Sequence, residues 1–221
     1  MTIIECAGVL FDFDGVLADS TPVVRRHWTA FAERHGLDAA QIIAAAHGRR
    51  SADTIADVCP PGADAAAELH WFDDLEISDV EGVLELAGTA DLLAALPGGR
   101  WGVVTSANRP VFAARMASVG LPVPELVVAA EDVQRGKPDP EGYLAGARRL
   151  GIDPADCLVV EDSPAGLKAA AAAGMRSLAL LTTHSREQLT AWKVAADLSA
   201  VRVLPSEAGV RLDVTEATVG S

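Results

Sequence analysis

The sequence predicts an α/β fold in which a doubly wound, Rossmann-like parallel sheet carries an inserted helical cap. Short apolar runs repeatedly end in polar residues, and such continuous runs are typical of strands that are buried on both faces. We predict strands over residues 7–12, 101–105, 126–130, 158–162 and 177–182. Helical stretches lie between these runs, at residues 110–119, 141–150 and 165–173. Because strand and helix alternate, we expect the strands to run parallel.

A long helical segment interrupts this alternation. Residues 16–83 lack a buried strand pattern and instead predict helices over residues 21–35, 39–46, 51–58 and 63–74. Pro60, Pro61 and Gly62 predict a turn between the last two helices. We therefore predict a helical cap of residues 16–83, inserted into a core that is formed by residues 1–15 and 84–221.

The composition limits the class of protein. The chain has 221 residues, half of them hydrophobic, which is enough for one sizeable core and a small appended unit. No apolar run approaches the roughly 18 to 20 residues that a membrane span needs, so we expect no membrane insertion and a cytoplasmic location. Cys6, Cys59 and Cys157 lie far apart without zinc-site spacing, and we expect them to be free thiols.

The charge limits the partners. A formal net charge of −13 argues against nucleic acid or an anionic membrane as a partner, because both need a basic protein face. Such a surface also repels an anionic substrate at long range. A phosphate site therefore has to be built locally from a cation, basic side chains and backbone amides.

Two carboxylates end the first predicted strand. In the segment Phe-Asp-Phe-Asp-Gly, Asp12 and Asp14 are two residues apart and Gly15 follows them. Crowded carboxylates repel each other unless a cation or a proton compensates their charge. The pair therefore predicts a bound divalent metal, a retained proton, or both.

Three further polar motifs follow along the chain. Thr105 ends the second predicted strand, Lys137 stands in a Gly-Lys-Pro segment, and Glu161 with Asp162 ends a later strand. In doubly wound sheets, ligands bind outside the carboxyl ends of the strands. We therefore expect these side chains to meet Asp12 at one edge of the sheet.

These four motifs, in this order, resemble those of the haloacid dehalogenase superfamily, and the resemblance extends over nearly the whole chain. It implies that Asp12 attacks phosphorus and forms an aspartyl-phosphate. It also implies that Asp14 protonates the leaving oxygen and then deprotonates the attacking water. By the same resemblance, Thr105 donates a hydrogen bond to a phosphoryl oxygen, and Lys137 neutralises the nucleophile and the phosphate together.

The resemblance also implies Mg²⁺ as the cofactor. The ion would bind the Asp12 carboxylate, the backbone carbonyl of Asp14 and the Asp162 carboxylate, since Mg²⁺ prefers hard oxygen ligands. Glu161 would be either a further ligand or a residue that supports the ligands.

Two branches of the superfamily fit this sequence less well. A dehalogenase needs no acid for its leaving halide, so the presence of Asp14 favours phosphate substrates. Phosphonate hydrolases of this kind use a Schiff-base lysine in the cap, and residues 16–84 contain no lysine.

Polar residues of the cap and of the second motif are candidates for substrate contacts. The segment from His47 to Arg50 is similar to a cap segment of glycerol and sugar phosphatases, which implies a substrate contact by Arg49 or Arg50 and makes His47 a further candidate. The alternatives are a solvated or salt-bridged arginine and a histidine that packs at a helix end. Ser106 and Asn108 are further candidates, although an asparagine at this place also suits a turn.

Together these features predict a Mg²⁺-dependent phosphatase that hydrolyses a small sugar or polyol phosphate, because an inserted cap leaves little room for a polymer. A mutase that resembles β-phosphoglucomutase has the same motifs and stays open as an alternative. A catalytically silent binding module is a second alternative, which the intact motifs disfavour. We expect a monomer or a weak homodimer whose partner is a small phosphorylated metabolite.

Overall fold

The fold is described from a computed structural model, which places residues 1–217. Within these residues the strands are β1 (Thr2–Cys6), β2 (Gly8–Phe11), β3 (Ala18–Asp19), β4 (Leu84–Glu85), β5 (Trp101–Val104), β6 (Val127–Val128), β7 (Cys157–Glu161), β8 (Arg176–Leu180), β9 (Lys193–Ala195), β10 (Val201–Leu204) and β11 (Val210–Val214). The α-helices are α1 (Thr21–His35), α2 (Ala39–Ala46), α3 (Ser51–Val58), α4 (Ala65–Ser78), α5 (Thr89–Ala95), α6 (Arg109–Val119), α7 (Glu141–Leu150) and α8 (Pro164–Ala172). Short 3₁₀ helices lie at Ala130–Asp132, Pro154–Asp156 and Leu198–Ala200. None of the helices within residues 1–217 is long and apolar enough to cross a lipid bilayer.

The centre of the described fold is a six-stranded parallel sheet in the order β6-β5-β2-β7-β8-β9, which confirms the predicted doubly wound architecture. Every residue of β2 is buried. Val9 and Phe11 pack in one apolar cluster with side chains of α5 and α6, whereas Leu10 packs in another with side chains of α7 and α8. The continuous apolar run thus reflects a strand that is covered on both faces.

A small antiparallel sheet, in the order β1-β11-β10, is absent from the prediction. Val214 of the central strand β11 is paired with Thr2 of β1 on one side and with Val201 of β10 on the other. Along β11 the buried residues Val210, Leu212 and Val214 alternate with less buried ones, and they join the same apolar cluster as Val9. This alternation is typical of a half-buried strand.

Helices α1 to α4 form the inserted segment, and each lies where the sequence predicts a helix. The bounds of α1, α2 and α3 coincide with the predicted ones, whereas α4 begins after Asp64 and continues to Ser78. The Asp64 side chain accepts hydrogen bonds from the backbone at the start of α4, which fixes where that helix begins. The insertion has an apolar cluster of its own, built around the aromatic side chains of Trp28, Phe31 and Phe72. We keep residues 16–83 as the proposed cap.

The inserted helices are joined to the core through two short paired strands. Ala18 of β3 lies opposite Glu85 of β4, and Asp19 lies opposite Leu84. The backbone N–H of Leu86 also donates to the carbonyl of Leu17 over 3.1 Å. The chain therefore leaves the core and returns to it along two adjacent strands.

Candidate active site

The predicted catalytic residues meet at the carboxyl edge of the parallel sheet. Asp12 follows β2, Thr105 follows β5 and Asp162 follows β7, and β2 lies between the other two strands. All three residues are buried, with at most 5% exposure. Thr105 Oγ1 accepts a hydrogen bond from the backbone N–H of Ala107 over 3.0 Å, which orients the hydroxyl group at this edge. The sheet therefore brings together side chains that are far apart in the sequence.

Lys137 lies between two buried carboxylates. Its Nζ is 3.0 Å from Asp12 Oδ2 and 2.7 Å from Glu161 Oε1. Burial raises the pKa of Asp12 well above its ordinary value, and the charge of Lys137 opposes that shift. Burial acts to lower the pKa of Lys137, but the two carboxylates raise it above its ordinary value. Lys137 thus places a positive charge between the two carboxylates, which favours the ionised form of Asp12.

Glu161 is a fully buried support for Lys137. Its Oε1 accepts hydrogen bonds from Lys137 Nζ and from Tyr143 Oη, and its Oε2 accepts from the backbone N–H groups of Asp162 and Ser163 and from Ser163 Oγ. Burial acts to raise the pKa of Glu161, but Lys137 and these hydrogen bonds hold it below its ordinary value. Each oxygen already has at least two donors. The geometry therefore favours a supporting role over direct metal binding for this side chain.

Asp12 and Asp162 could hold a divalent cation at this edge, with Glu161 close to both of them. Oxygen atoms of Asp12, Glu161 and Asp162 lie within 4.8 Å of one another. Asp162 is 1% exposed, and its buried Oδ1 has no hydrogen-bond partner among residues 1–217. Burial raises the pKa of this carboxyl group, and a cation beside it would oppose that shift. Oxygen ligands of this kind fit Mg²⁺.

Gly15 lets Asp162 approach the first motif. Its φ is +79°, in the left-handed region that glycine adopts without steric cost. A Cβ atom at this position would overlap Asp162 Oδ2. The glycine after Asp14 is therefore required both by the backbone turn and by the neighbouring carboxylate.

Asp14 is held by an arginine that is absent from the predicted site. Arg115 Nη1 donates to Asp14 Oδ1 over 2.8 Å, and Arg115 Nη2 donates to Glu76 Oε1 over 2.7 Å. Arg115 is buried in α6, on the same side of the helix as Val111 and Phe112. Residues three and four positions apart lie on the same face of a helix. The apolar residues Val111 and Phe112 are therefore a sequence signal that Arg115 faces the interior.

Two of the predicted substrate contacts lie at the catalytic edge. His47 Nε2 is 3.3 Å from Asp162 Oδ2, and this hydrogen bond raises the pKa of His47 above its ordinary value. The His47 ring also packs edge-on against His184, with ring centroids 4.6 Å apart. Ser106 Oγ donates to the carbonyl of Gly48 over 3.0 Å. Both contacts join the cap segment around residue 47 to the core.

Two further candidates for substrate contacts, Arg49 and Asn108, are hydrogen-bonded away from the catalytic carboxylates. Arg49 Nη2 donates to Asp57 Oδ2 over 2.7 Å, although the arginine also lines the cavity beside the site. Asn108 Oδ1 accepts a hydrogen bond from the backbone N–H of Val111 and caps α6. The geometry thus supports the turn alternative for Asn108, because its side-chain oxygen already serves the helix.

A cavity of about 490 Å³ lies between the cap and the carboxyl edge of the sheet. The core contributes Asp12, Asp14 and Asp162 to its wall, and the cap contributes apolar side chains, among them Trp28 and Ile43. Further polar side chains line it as well: Arg25, Arg49, Ser51, Glu76, Arg115 and Gln188. Its volume is within the range of small-molecule sites.

The motifs and the geometry match a known family. A family profile described as haloacid dehalogenase-like hydrolase matches residues 6–174, which include every residue of the predicted site. The chain belongs to this family. The relationship that the four motifs predict is thereby confirmed.

Relatives of this haloacid dehalogenase-like hydrolase include named phosphatases. Hexitol phosphatase A of Escherichia coli is 41% identical over 206 residues, which are 86% of this chain and 95% of the relative. Glycerol-1-phosphate phosphohydrolase 2 of Saccharomyces cerevisiae is 34% identical over 191 residues, which are 81% of this chain and 76% of the relative. A solved hydrolase from Pseudomonas syringae has the same fold, with a TM-score of 0.76 at 22% identity, covering 86% of this chain and 93% of the other.

The haloacid dehalogenase-like site contains two further residues that the prediction lacks. Tyr143 supports Glu161, as described above, and Thr183 Oγ1 donates to Asp162 Oδ2. Thr183 follows β8, the strand next to β7 in the sheet. The strand-end rule that identifies Thr105 therefore also applies to Thr183. Tyr143 lies inside α7 and carries no comparable sequence signal.

Proposed function

We propose that this haloacid dehalogenase-like hydrolase is a Mg²⁺-dependent phosphatase for a small polyol or sugar phosphate monoester. The observation that carries the proposal is its similarity to hexitol phosphatase A and to the glycerol-1-phosphate phosphohydrolase over most of the chain. The cavity of about 490 Å³ supports it, because there a small substrate would lie beside Asp12 and Asp14.

In the first step of the proposed mechanism, an oxygen of Asp12 attacks phosphorus as the bond from phosphorus to the ester oxygen breaks. Asp14 gives its proton to the departing oxygen, so the polyol leaves as a neutral alcohol. Lys137, 3.0 Å from Asp12, compensates the negative charge around the transferred group. The phosphoryl group is then bonded to Asp12 as an acyl phosphate.

In the second step, water hydrolyses the aspartyl-phosphate. Asp14, now a carboxylate, takes a proton from water as the water oxygen attacks phosphorus. The bond between Asp12 and phosphorus breaks, which returns Asp12 to its carboxylate form and releases inorganic phosphate. Asp14 carries its proton again, so the cycle closes.

The metal would be held by the carboxylates of Asp12 and Asp162 and by the backbone carbonyl of Asp14. When bound, Mg²⁺ supplies positive charge that offsets the phosphoryl oxygens. This charge matters here because the buried carboxylates would otherwise repel a phosphate ester, as would the net charge of −13.

The proposal is tested by phosphate release from a panel of esters, with Mg²⁺ and after chelation. The panel contains glycerol phosphates, hexitol phosphates, hexose and pentose phosphates, phosphoglycolate and β-glucose 1-phosphate, and the product sugars are analysed as well. We expect Mg²⁺-dependent release from at least one polyol or sugar phosphate. Interconversion of glucose 1-phosphate and glucose 6-phosphate with little free phosphate would identify a mutase instead. Binding of Mg²⁺ without turnover of any ester would favour the binding module.

Replacing Asp162 by alanine should raise the Mg²⁺ concentration that gives half-maximal activity. Loss of an outer partner of a metal site typically costs about 10- to 100-fold in metal affinity, and loss of a direct ligand should cost at least as much. The measurement is phosphate release as a function of Mg²⁺ concentration. Asp156→Ala is the matched control, because Asp156 is exposed and lies away from the carboxyl edge. An unchanged Mg²⁺ requirement in Asp162→Ala would mean that the metal binds elsewhere.

A further inference from the structure

Arg115 and Glu76 form a buried charged pair to which the mechanism above assigns no role. The two residues are 3% and 6% exposed, respectively. Arg115 Nη2 donates to Glu76 Oε1 over 2.7 Å, and Ser51 Oγ donates to Glu76 Oε2 over 3.1 Å. The other terminal nitrogen of Arg115 bonds to Asp14. Together they form a continuous chain of hydrogen bonds from the cap to the proposed acid, in which Asp14 Oδ1 accepts from Arg115 and Oδ2 is the oxygen that can carry the proton.

These hydrogen bonds cross the boundary between the proposed cap and the core. Glu76 belongs to α4 of the cap, Arg115 belongs to α6 of the core, and Asp14 follows β2. Burial of an ion pair typically adds little net stability, because desolvation of both charges offsets their attraction. Stability alone therefore does not account for placing a guanidinium group here. A role that such a pair can serve is to hold a neighbouring side chain in one position.

Asp14 needs such a restraint. Its side chain is 29% exposed and faces the cavity. Within residues 1–217, Arg115 is the one side chain that hydrogen-bonds to the Asp14 carboxyl group. A general acid must be within hydrogen-bond reach of the oxygen that it protonates, and small displacements cost rate. The position of the Asp14 carboxyl group therefore depends on the position of Arg115.

We propose that Arg115 and Glu76 are positioning residues that aim Asp14 at the leaving oxygen. The orientation of Asp14 then depends on the position of the cap, because Glu76, which binds the second terminal nitrogen of Arg115, belongs to α4. The proposal rests on the role of Asp14 in the proposed function. When the cap is seated on the core, Arg115 is held at both ends and Asp14 points into the cavity.

The proposal has a signature that a purely structural role lacks. Protonation matters most for a basic leaving group and matters little for a leaving group that departs readily as an anion. The value of kcat/KM reports the steps up to the first irreversible one, here formation of the aspartyl-phosphate. Loss of acid positioning should therefore lower kcat/KM in proportion to the basicity of the leaving group.

The test measures kcat/KM in the presence of Mg²⁺ for three aryl phosphates of decreasing leaving-group basicity: phenyl, p-nitrophenyl and 2,4-dinitrophenyl phosphate. For Arg115→Met we expect a loss of about 100-fold with phenyl phosphate, within the usual range for general acid catalysis, and less than about 10-fold with the dinitrophenyl ester. For Glu76→Gln, the loss of kcat/KM should again be largest with phenyl phosphate and smallest with the dinitrophenyl ester, but each loss should be smaller than in Arg115→Met. Arg115→Lys should recover part of the loss with phenyl phosphate.

Arg109→Met is the matched control. Arg109 lies at the start of the same helix, α6, but is exposed and pairs with Glu131 and Asp132 on the surface. It should keep wild-type kcat/KM with all three esters. If Arg115→Met fails to fold, Glu76→Gln and Arg115→Lys carry the same comparison.

Equal losses with all three esters in the Arg115 and Glu76 variants would overturn the proposal, since they would indicate a general disturbance of the site. A loss confined to Arg115 variants, with Glu76→Gln at the wild-type level, would overturn the link to the cap. A wild-type protein that releases phosphate neither from the polyol and sugar phosphate panel nor from the aryl esters would overturn the proposed function, and this inference with it. If the wild type hydrolyses an ester of the panel but no aryl ester, kcat/KM is compared with that ester, whose alkoxide leaving group is strongly basic. Unchanged values in Arg115→Met and Glu76→Gln would then overturn the inference alone. The aryl series does not depend on knowledge of the physiological substrate.

Discussion

Replacing Asp12 by asparagine should lower kcat by at least about 10⁴-fold, because an amide does not form the bond to phosphorus on which both steps depend. The fold should be retained, since Lys137 keeps its ion pair with Glu161 at 2.7 Å. The measurement is Mg²⁺-dependent phosphate release from the best ester of the panel.

The control for this variant is Asp156→Asn, the same chemical change at an exposed position. It should have wild-type activity. Thermal unfolding of both proteins shows whether the loss in Asp12→Asn is chemical or structural. If a well-folded Asp12→Asn protein kept more than about one per cent of wild-type activity, Asp12 would no longer be the nucleophile.

Replacing Lys137 by methionine should affect both activity and stability. Without the cation, Asp12 and Glu161 become two buried carboxylates with no compensating charge, and the pKa of Asp12, already raised by burial, should rise further. A protonated Asp12 is a poor nucleophile, so we expect a loss in kcat/KM of at least about 10³-fold. Removing one partner of a buried ion pair typically costs about 3 to 5 kcal/mol of stability.

The stability part of this prediction depends on pH. Lys137 helps to hold the pKa of Glu161 below its ordinary value, so its contribution is present above that value and is lost as the pH falls through the folded-state pKa. The deficit of Lys137→Met should therefore shrink at acidic pH. Denaturant unfolding with a chelator present, at neutral pH and at a series of pH values below the ordinary pKa of Glu161, measures the deficit without compensation by a metal.

The matched control is Lys168→Met, because Lys168 is exposed on α8. A change at such a surface position typically alters stability by less than about 0.5 kcal/mol. Equal stability of Lys137→Met and Lys168→Met at neutral pH would contradict the buried ion pair described for Lys137.

The core of the site could be predicted because its signals are local in the sequence. The apolar runs that end at Asp12, Thr105 and Asp162 each predict a buried strand with a polar end, and parallel pairing then brings the three ends together. The helices of the inserted domain could be predicted equally well, since helix-capping residues and the spacing of apolar residues are local features of the sequence. No tertiary contact was needed for either prediction.

The restraint on Asp14 could not be predicted in the same way. Arg115 and Glu76 are separated along the chain by two strands, a helix and several turns, and their contact exists only because α4 packs against α6. Asn108 shows the opposite limit. Its residue type suits a substrate contact, but helix α6 needs a cap at that position and the side chain serves the backbone instead.

The small sheet of β1, β10 and β11 shows a third limit. Alternation of buried and less buried residues is present in β11, at Val210, Leu212 and Val214. A single short alternating segment is weak evidence for a strand until its partner is known. One of its two partners, β1, lies at the other end of the chain, so that pairing is a property of the folded protein.

The paired strands β3 and β4 determine how a substrate could reach the buried carboxylates. Because both chain segments cross at one two-stranded ribbon, Ala18–Asp19 beside Leu84–Glu85, we expect any movement of the proposed cap to be a rotation about this ribbon. The aromatic cluster around Trp28 is internal to the cap and stays intact during such a rotation. Such a rotation would break hydrogen bonds between the cap and the core, among them those of Ser106 with Gly48 and of Arg115 with Glu76, but no part of either apolar core would have to unfold.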